Sequence, residues 1–292
     1  MQLPDYATLL QALVTGLLLG GLLALAALGL SLVVGVIRIV NLMHGELVLL
    51  GAYVAYALLQ ATGGNPLLIA PLAALVVALI GLPIERFLLH PVAAHGEEAP
   101  LLTTFALSII AQNLLVFAFG GDTRSIDSGY TTARITLAHI TVPVLYLLGF
   151  VVALLICLVM HWLIAHTAFG RRIRASAEHP TDAAVVGVPV RRMYTWLFAL
   201  AAGVSGLGGA LLGMVFAFTP SSGVEFLLTG FTVVVLGGLG SVKGTLLGGL
   251  ALGVFESLGA SVFGDGYRLL VGLVAFLVFL TWRPQGLFGR RA

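Results

Sequence analysis

One serine of the 292-residue chain stands in a pattern that can support nucleophilic chemistry. Gly203-Val204-Ser205-Gly206 matches the G-x-S-G pattern of intramembrane serine proteases, whose serine requires a histidine base on a later helix. The last histidine of the chain is His179, which precedes the serine. Because the base is missing from its expected place, the sequence favours a packing role for Ser205.

A nucleotide site and a metal site are the next candidates. The stretch from Gly237 to Thr245 looks like a phosphate-binding loop, but Val242 stands where the G-x-x-x-x-G-K-[ST] pattern requires glycine. The seven histidines are scattered, and the single cysteine, Cys157, excludes an internal disulfide and a thiolate cluster. We therefore expect no catalytic residue, no metal site and no cofactor on this chain.

Three glutamates in apolar surroundings, Glu46, Glu225 and Glu256, could carry a coupling ion. A charge inside hydrocarbon is costly, so such a group normally faces a cavity or a partner. Each glutamate lies near the end of a predicted helix, however, where contact with lipid headgroups explains it equally well. No acid is paired with a base inside one predicted span, so we expect an uncharged interior, which argues against an ion-driven carrier.

The composition identifies the elements that must position these residues. Hydrophobic residues make up 60% and charged residues 9% of the chain, against roughly 25% charged in soluble domains. A helix needs about 20 apolar residues to cross the hydrocarbon core, which leaves room for about eight to ten helices and little else. We predict an all-α, polytopic membrane protein with one transmembrane domain over residues 1–292. Its amino terminus lacks signal-peptide features, so we expect an unprocessed chain.

Apolar runs and the turns between them predict nine membrane crossings, within a range of eight to ten. The predicted spans are residues 7–36, 47–59, 67–89, 101–119, 141–161, 194–218, two within 223–262, and 267–282. Short arginine-rich loops remain on the cytoplasmic side. This places the carboxyl terminus inside and the amino terminus outside, with a cytoplasmic turn at Lys243. No internal repeat is visible in the sequence.

Small residues recur every four positions in several spans. This spacing lets two helices approach closely. The glycines predicted to lie at helix contacts are Gly16, Gly20, Gly209, Gly213, Gly240, Gly244 and Gly248.

The longest polar segment, residues 166–192, holds five of the fourteen basic residues. Within it, residues 181–187 are predicted to form a short helix, with Thr181 or Asp182 as N-cap and Gly187 as the stop. Its small residues would let it dock into a groove of a partner protein. Arginine-rich loops are also ordinary in polytopic proteins, so both explanations remain open on this segment alone.

Three stretches together resemble one family over nearly the whole chain. Residues 40–47 (VNLMHGEL) and 51–54 (GAYV) are similar to the amino-terminal signature of permease subunits of branched-chain amino acid ABC importers, a group that also serves urea and short amides. Residues 231–249 and the ending RPQGLFG at 283–289 are similar to later segments of that family. The signature residues are Asn41, His44, Gly45 and Glu46.

The resemblance implies an ABC-importer permease fold in a bacterial inner membrane, with the carboxyl terminus in the cytoplasm. It also implies partners: two ATP-binding-cassette subunits that bind ATP and Mg²⁺, a second homologous permease, and a periplasmic or lipid-anchored binding protein. Lipid surrounds such a subunit, and no nucleic acid is expected.

The family's cytoplasmic coupling loop, which docks into the ATPases, has a loose E-A-A-x-x-x-G pattern. Asp182-Ala183-Ala184 with Gly187 is similar, with aspartate for glutamate and one residue fewer before the glycine. The coupling residues that the resemblance implies are Arg171, Arg172, Arg174, Glu178, Asp182, Ala183, Ala184 and Gly187.

The function implied is inward transport of branched-chain or related amino acids, with no enzymatic activity on the chain itself. The alternative is an ion-coupled carrier or channel that works without an ATPase, in which Glu46, Glu225 or Glu256 carries the ion. The residues that contact substrate are not readable, and urea, amides and other amino acids remain open as substrates.

Overall fold

Helices dominate the computed structural model, which describes residues 5–93, 95–96, 98–127, 129–130, 133–137, 140–283 and 285–288. In chain order the helices are α1 (Tyr6–Val36), α2 (His44–Thr62), α3 (Pro66–Pro83), α4 (His90–Ala93), α5 (Glu98–Phe119), α6 (Val144–His166), α7 (Ala168–Glu178), α8 (Pro180–Val185), α9 (Val190–Val215), α10 (Gly223–Gly237), α11 (Val242–Phe263) and α12 (Arg268–Trp282). The shorter elements are a π-helical turn (Ile84–Leu89), a 3₁₀ turn (Asp265–Tyr267) and two strands, β1 (Arg134–Leu137) and β2 (Ile140–Pro143).

The helices agree with the predicted class and number of crossings. Eight helical segments of the described residues are long and apolar enough to cross a membrane, and α10 is apolar but shorter. Side-chain caps start helices where the apolar runs begin: Asn65 accepts a hydrogen bond from the Leu67 amide, and Ser241 accepts one from the Gly244 amide, both at 3.0 Å. The chain is therefore an all-helical polytopic membrane protein.

Two corresponding sets of helices build the fold. The central helices α1 and α9 are heavily buried. α1 packs against α10 and α11, and α9 packs in the same manner against α2 and α3. α2 also packs against α3 and α5, as α10 packs against α11 and α12. Thus α1, α2, α3 and α5 correspond in order to α9, α10, α11 and α12.

The two sets run in opposite directions. Gly29 of α1 lies beside Ala201 of α9, whereas Ala26, earlier in α1, lies beside Gly208, later in α9. The central helices are therefore antiparallel, and the arrangement is an inverted repeat of the kind common in transporters. The repeat is one of helix arrangement, which is why it is not visible in the sequence.

Glycine contacts hold these helices at short range. A Cβ atom on Gly16 would lie 2.7 Å from the Gly253 carbonyl oxygen, closer than real Cβ atoms approach. The structure places the seven predicted packing glycines as follows: Gly16 against Gly253, Gly20 against Gly249, Gly209 against Val48, Gly213 against Ala52, Gly240 against Gly35, Gly244 against Gly237, and Gly248 against Val233. Each faces a neighbouring element, and most of these contacts involve backbone atoms.

Three local features differ from the predictions. The polar segment begins with α7, an eleven-residue helix that was not anticipated. α8 starts at Pro180 with His179 as its N-cap, so the predicted caps Thr181 and Asp182 were wrong. Proline is favoured at the first helical position because its missing N–H would be unpaired there anyway. β1 lies in the predicted loop before α6, whereas β2 occupies the start of the predicted span 141–161, and the two strands pair antiparallel with Ile135 opposite Val142.

Candidate functional site

The signature segment lies inside the protein. After α1 the chain turns back through Arg38, which has a positive φ of 58°. The Asn41 side chain accepts a hydrogen bond from the Met43 amide at 3.0 Å, and the Leu42 amide donates to Thr104 Oγ1 of α5 at 3.2 Å. These bonds shape a turn that returns the chain into the helical core, where α2 begins.

His44, the first residue of α2, lies against three other helices. Its ring is within 3.2 Å of the position that a Cβ atom on Gly230 of α10 would take, and the same position is 3.7 Å from Leu30 of α1. Leu30 precedes the end of α1 by six residues, so α2 starts about 9 Å inward from that end at 1.5 Å per residue. The His44 side chain is buried, with 2% of the residue exposed.

The first turns of α2 and α10 meet at two glycines. A Cβ atom on Gly45 would overlap the carbonyl oxygen of Gly223 and lie 2.8 Å from its carbonyl carbon. The next residue, Glu46, is 2% exposed, and its carboxylate lies directly against Gly223 at the start of α10. Helix N-termini carry partial positive charge, so this carboxylate is well placed to balance the N-terminus of α10.

The junction keeps unused hydrogen-bonding capacity. Among the residues that the structure describes, the side-chain atoms buried without a hydrogen-bond partner include Ser31 Oγ, His44 Nε2, Glu46 Oε2 and Tyr53 Oη. Buried polar groups are normally paired, so each such atom can still bind water or a polar solute. Two short helices that begin in the interior and meet end to end resemble the interrupted helices around which transporters build their solute paths.

Ser205 is part of this junction. No later helix supplies a histidine, as the sequence indicates, but His44, far earlier in the chain, brings Nδ1 to 3.5 Å from Ser205 Oγ. The hydroxyl donates to the Ala201 carbonyl oxygen at 2.9 Å, within its own helix. The hydroxyl proton is thus bound to the backbone of the same helix. The geometry makes Ser205 a packing and hydrogen-bonding residue of α9.

The predicted coupling residues lie on α7, α8 and the turn after them. Arg171, Arg172, Glu178, Asp182 and Ala184 are exposed, and Ala183 is buried. Gly187 follows α8 with a φ of 84°, the left-handed conformation common after helix ends. Val185 and Val186 are 87% and 78% exposed, so the tip of this segment presents an apolar surface.

Three hydrogen bonds fasten this segment to the membrane helices. Arg174 turns back and donates to the carbonyl oxygens of Ile164 and Ala165 at the end of α6. The Tyr194 hydroxyl of α9 donates to the Ser176 carbonyl oxygen of α7 at 2.8 Å. α7 is therefore bonded directly to both α6 and α9.

Residues 231–249 and 283–289, the other two stretches that resemble the family, contact each other. The Leu287 amide donates to the Leu236 carbonyl oxygen at 2.9 Å, and the Phe288 amide donates to that of Gly237 at 3.1 Å. Gly286 makes this approach possible, since it has a φ of 77° and a Cβ atom there would lie 2.5 Å from the Val235 carbonyl oxygen. The chain ending thus caps the carboxyl end of α10.

The three glutamates occupy different environments. Glu225 is exposed, whereas Glu46 and Glu256 are buried, so lipid headgroups do not explain the last two. The expected uncharged interior was also wrong, because Arg268 of α12 places Nε 3.4 Å from Glu256 Oε2 of α11. The sequence could not reveal this pair, because its members lie on different helices. No group of three metal-ligating side chains occurs among the described residues.

Comparison with known proteins identifies the relatives of this chain. The family described as "Branched-chain amino acid transport system / permease component" matches residues 12–281. The permease protein BraD of the high-affinity branched-chain amino acid transport system of Pseudomonas aeruginosa is 31% identical, over 99% of this chain and 98% of its own length. LivH of Escherichia coli, from the system of the same name, is 28% identical over 96% of both chains. A probable branched-chain amino acid transport permease of Methanocaldococcus jannaschii is 31% identical over 92% of this chain and 89% of its own.

The family match and the BraD alignment both run through the signature segment, α9 and the turn between α10 and α11. They cover the helices that meet at Gly45 and Gly223, and the segment formed by α7 and α8. The chain therefore belongs to the family of branched-chain amino acid transport system permease components.

Proposed function

We propose that this chain is the permease subunit of an ABC importer that moves branched-chain amino acids into the cell. The observation that carries the proposal is the family match over residues 12–281, supported by full-length similarity to permeases named for this transport. Residues 1–292 act as one transmembrane domain of the bacterial inner membrane, without catalytic activity of their own.

The partners follow from this assignment. Two ATP-binding-cassette subunits bind ATP and Mg²⁺, a second homologous permease completes the pore, and a periplasmic or lipid-anchored binding protein delivers the amino acid. The arginines of residues 166–192 keep α7 and α8 in the cytoplasm, and Arg283, Arg290 and Arg291 favour the same side for the carboxyl terminus.

Coupling to the ATPases uses the exposed tip of α8. Ala184, with Val185 and Val186, seats in a groove of the ATPase subunit, and the arginines of α7 flank it. Nucleotide-driven motion passes through the Tyr194–Ser176 bond to α9, which contacts the first turn of α2 at Ser205 and His44. The junction of α2 and α10 is the moving part, because glycine contacts permit helices to shift with few interlocked side chains.

The first experiment is purification of the tagged chain from its native membrane in mild detergent, with identification of the proteins that accompany it. We expect two ATP-binding-cassette subunits and a second permease. A strain that lacks the chain should lose energy-dependent uptake of radiolabelled leucine and regain it on complementation. A chain that purifies alone and moves solute in liposomes without ATP would contradict the proposal.

A further inference from the structure

A cavity of about 220 Å³ lies where α1, α9, α10, α11 and α12 meet. Its lining includes Phe216, which follows the last residue of α9, whereas α9 begins beside α7. Since α9 is 26 residues long, the cavity is about 39 Å from the start of that helix. It therefore lies at the opposite end of the molecule from the arginine-rich segment, which is the outer end in the proposed orientation.

Opposite charges share this cavity. Glu225, Glu256 and Arg268 form part of its wall. The Arg268 side chain is 21% exposed and that of Glu256 is 7% exposed, and the guanidinium carbon lies 5.0 Å from the centre of the Phe216 ring. Glu225 and Glu256 thus share the cavity wall with one guanidinium, which pairs with Glu256.

Two further groups border the charged wall. Tyr146 of α6 interacts with Arg268, and Asp265, in the turn before α12, interacts with Tyr146. The rest of the wall is mainly apolar and includes Leu23, Leu212 and Phe226. The cavity therefore combines a positive group, negative groups and an aliphatic or aromatic surface within a small volume.

A buried ion pair is weak support for a purely structural role. Desolvation of the two charges offsets much of their attraction, and well-packed apolar residues often stabilise a protein as well or better. Ionisable residues within membrane segments usually face a cavity and mark a solute or ion path. Glu256 and Arg268 meet that description.

We propose that this cavity binds a zwitterionic amino acid with an aliphatic side chain. Its carboxylate pairs with Arg268, its ammonium group pairs with Glu225 and Glu256, and its side chain packs against the apolar wall. The volume suits such a solute, because pockets for drug-sized ligands are larger, about 300–1,000 Å³. This inference rests on the proposed function and deepens it, since it adds a site on the permease that selects for both charges.

The test measures binding of radiolabelled leucine to the full-length chain in lipid nanodiscs, with three competitors. These are unlabelled leucine, 3-methylbutylamine, which lacks the carboxylate, and 4-methylpentanoate, which lacks the ammonium group. We expect each singly charged compound to compete at least tenfold more weakly than leucine. Equal competition by all three, or no binding of leucine, would overturn the proposal.

Single substitutions test which charged group of leucine each residue of the cavity binds. Arg268→Gln should weaken the binding of leucine at least tenfold. It should change the affinity for 3-methylbutylamine by no more than twofold, because that compound has no carboxylate to pair with Arg268. Glu225→Gln and Glu256→Gln should weaken the binding of leucine but change the affinity for 4-methylpentanoate by no more than twofold. Arg268→Lys keeps the positive charge and should still bind leucine more tightly than 3-methylbutylamine. This result would show that replacement of Arg268 does not by itself unfold the protein. Asp122→Asn, at an exposed acid outside the cavity, serves as the control.

Leucine uptake by intact cells distinguishes a failure of the cavity assignment from a failure of the proposed function. If the wild-type chain supports uptake but Arg268→Gln and Glu256→Gln transport at the wild-type rate, the cavity assignment fails and the proposed function stands. If cells that contain the wild-type chain and its partners import no branched-chain amino acid, the proposed function fails, and the competition pattern still decides on the cavity.

Discussion

Gly45 of α2 and Gly223 of α10 are in backbone contact, so close that a methyl group on Gly45 would overlap the Gly223 carbonyl oxygen. The contact joins the starts of two helices that occupy corresponding places in the two halves of the fold. It also brings the Glu46 carboxylate to the first turn of α10. Changes at this contact should therefore affect both stability and movement.

Gly45→Ala should destabilise the protein by about 1–3 kcal/mol, the usual cost of forcing an extra group into a packed interior. We expect a lower melting temperature in detergent and loss of most leucine uptake. Gly266→Ala is the matched control, because a Cβ atom there meets nothing within 4 Å. Equal melting temperatures for the two variants would contradict the described contact.

Ala184→Asp should abolish leucine uptake without reducing the amount of protein in the membrane. The residue is exposed at the tip of α8, so the substitution leaves the fold intact and places a charge in the proposed ATPase interface. The readouts are uptake and the ATPase activity of the purified complex, which should no longer respond to loaded binding protein. Ala61→Asp, an exposed alanine at the far end of α2, is the control. Normal uptake by the Ala184 variant would reject docking through α8.

Arg174→Gln should loosen the junction of α6 and α7, since its guanidinium bonds the last carbonyl oxygens of α6. Hydrogen bonds to charged groups contribute about 1.5–3 kcal/mol, and exposure of this arginine reduces the expected loss to roughly 1 kcal/mol. Proteolytic cleavage between α6 and α7 should become faster. Arg171→Gln, at an exposed position of the same helix, should leave the cleavage rate unchanged, and equal rates in both variants would refute the prediction.

Ser205→Ala should retain leucine uptake within about twofold of wild type, because the hydroxyl donates its proton to a carbonyl of its own helix and such bonds contribute about 0.5–1.5 kcal/mol. Ser205→Leu should fail, since Gly29 of α1 lies against this side chain. Uptake assays on both variants distinguish a packing residue from a reactive one. Complete loss of uptake in a well-expressed Ser205→Ala variant would reopen a chemical role.

Composition and local pattern were sufficient for the class of fold. An apolar chain with few charges must form helices in lipid, because no water is present there to pair the backbone polar groups. A crossing number between eight and ten, a break just before Lys243 and the spacing of Gly16 and Gly20 could also be predicted from the sequence. Each depends on residues that are neighbours along the chain.

Only the tertiary structure showed which residues meet in the interior. Short-range patterns contain no information on which helices pack together, so they could not place His44 beside Ser205, Gly45 against Gly223 or Arg268 beside Glu256. The prediction of an uncharged interior failed for this reason. The sequence by itself determined a helical membrane permease with an arginine-rich polar segment. The packing of distant helices determined where α2 begins, which charges are buried and where a solute can be held.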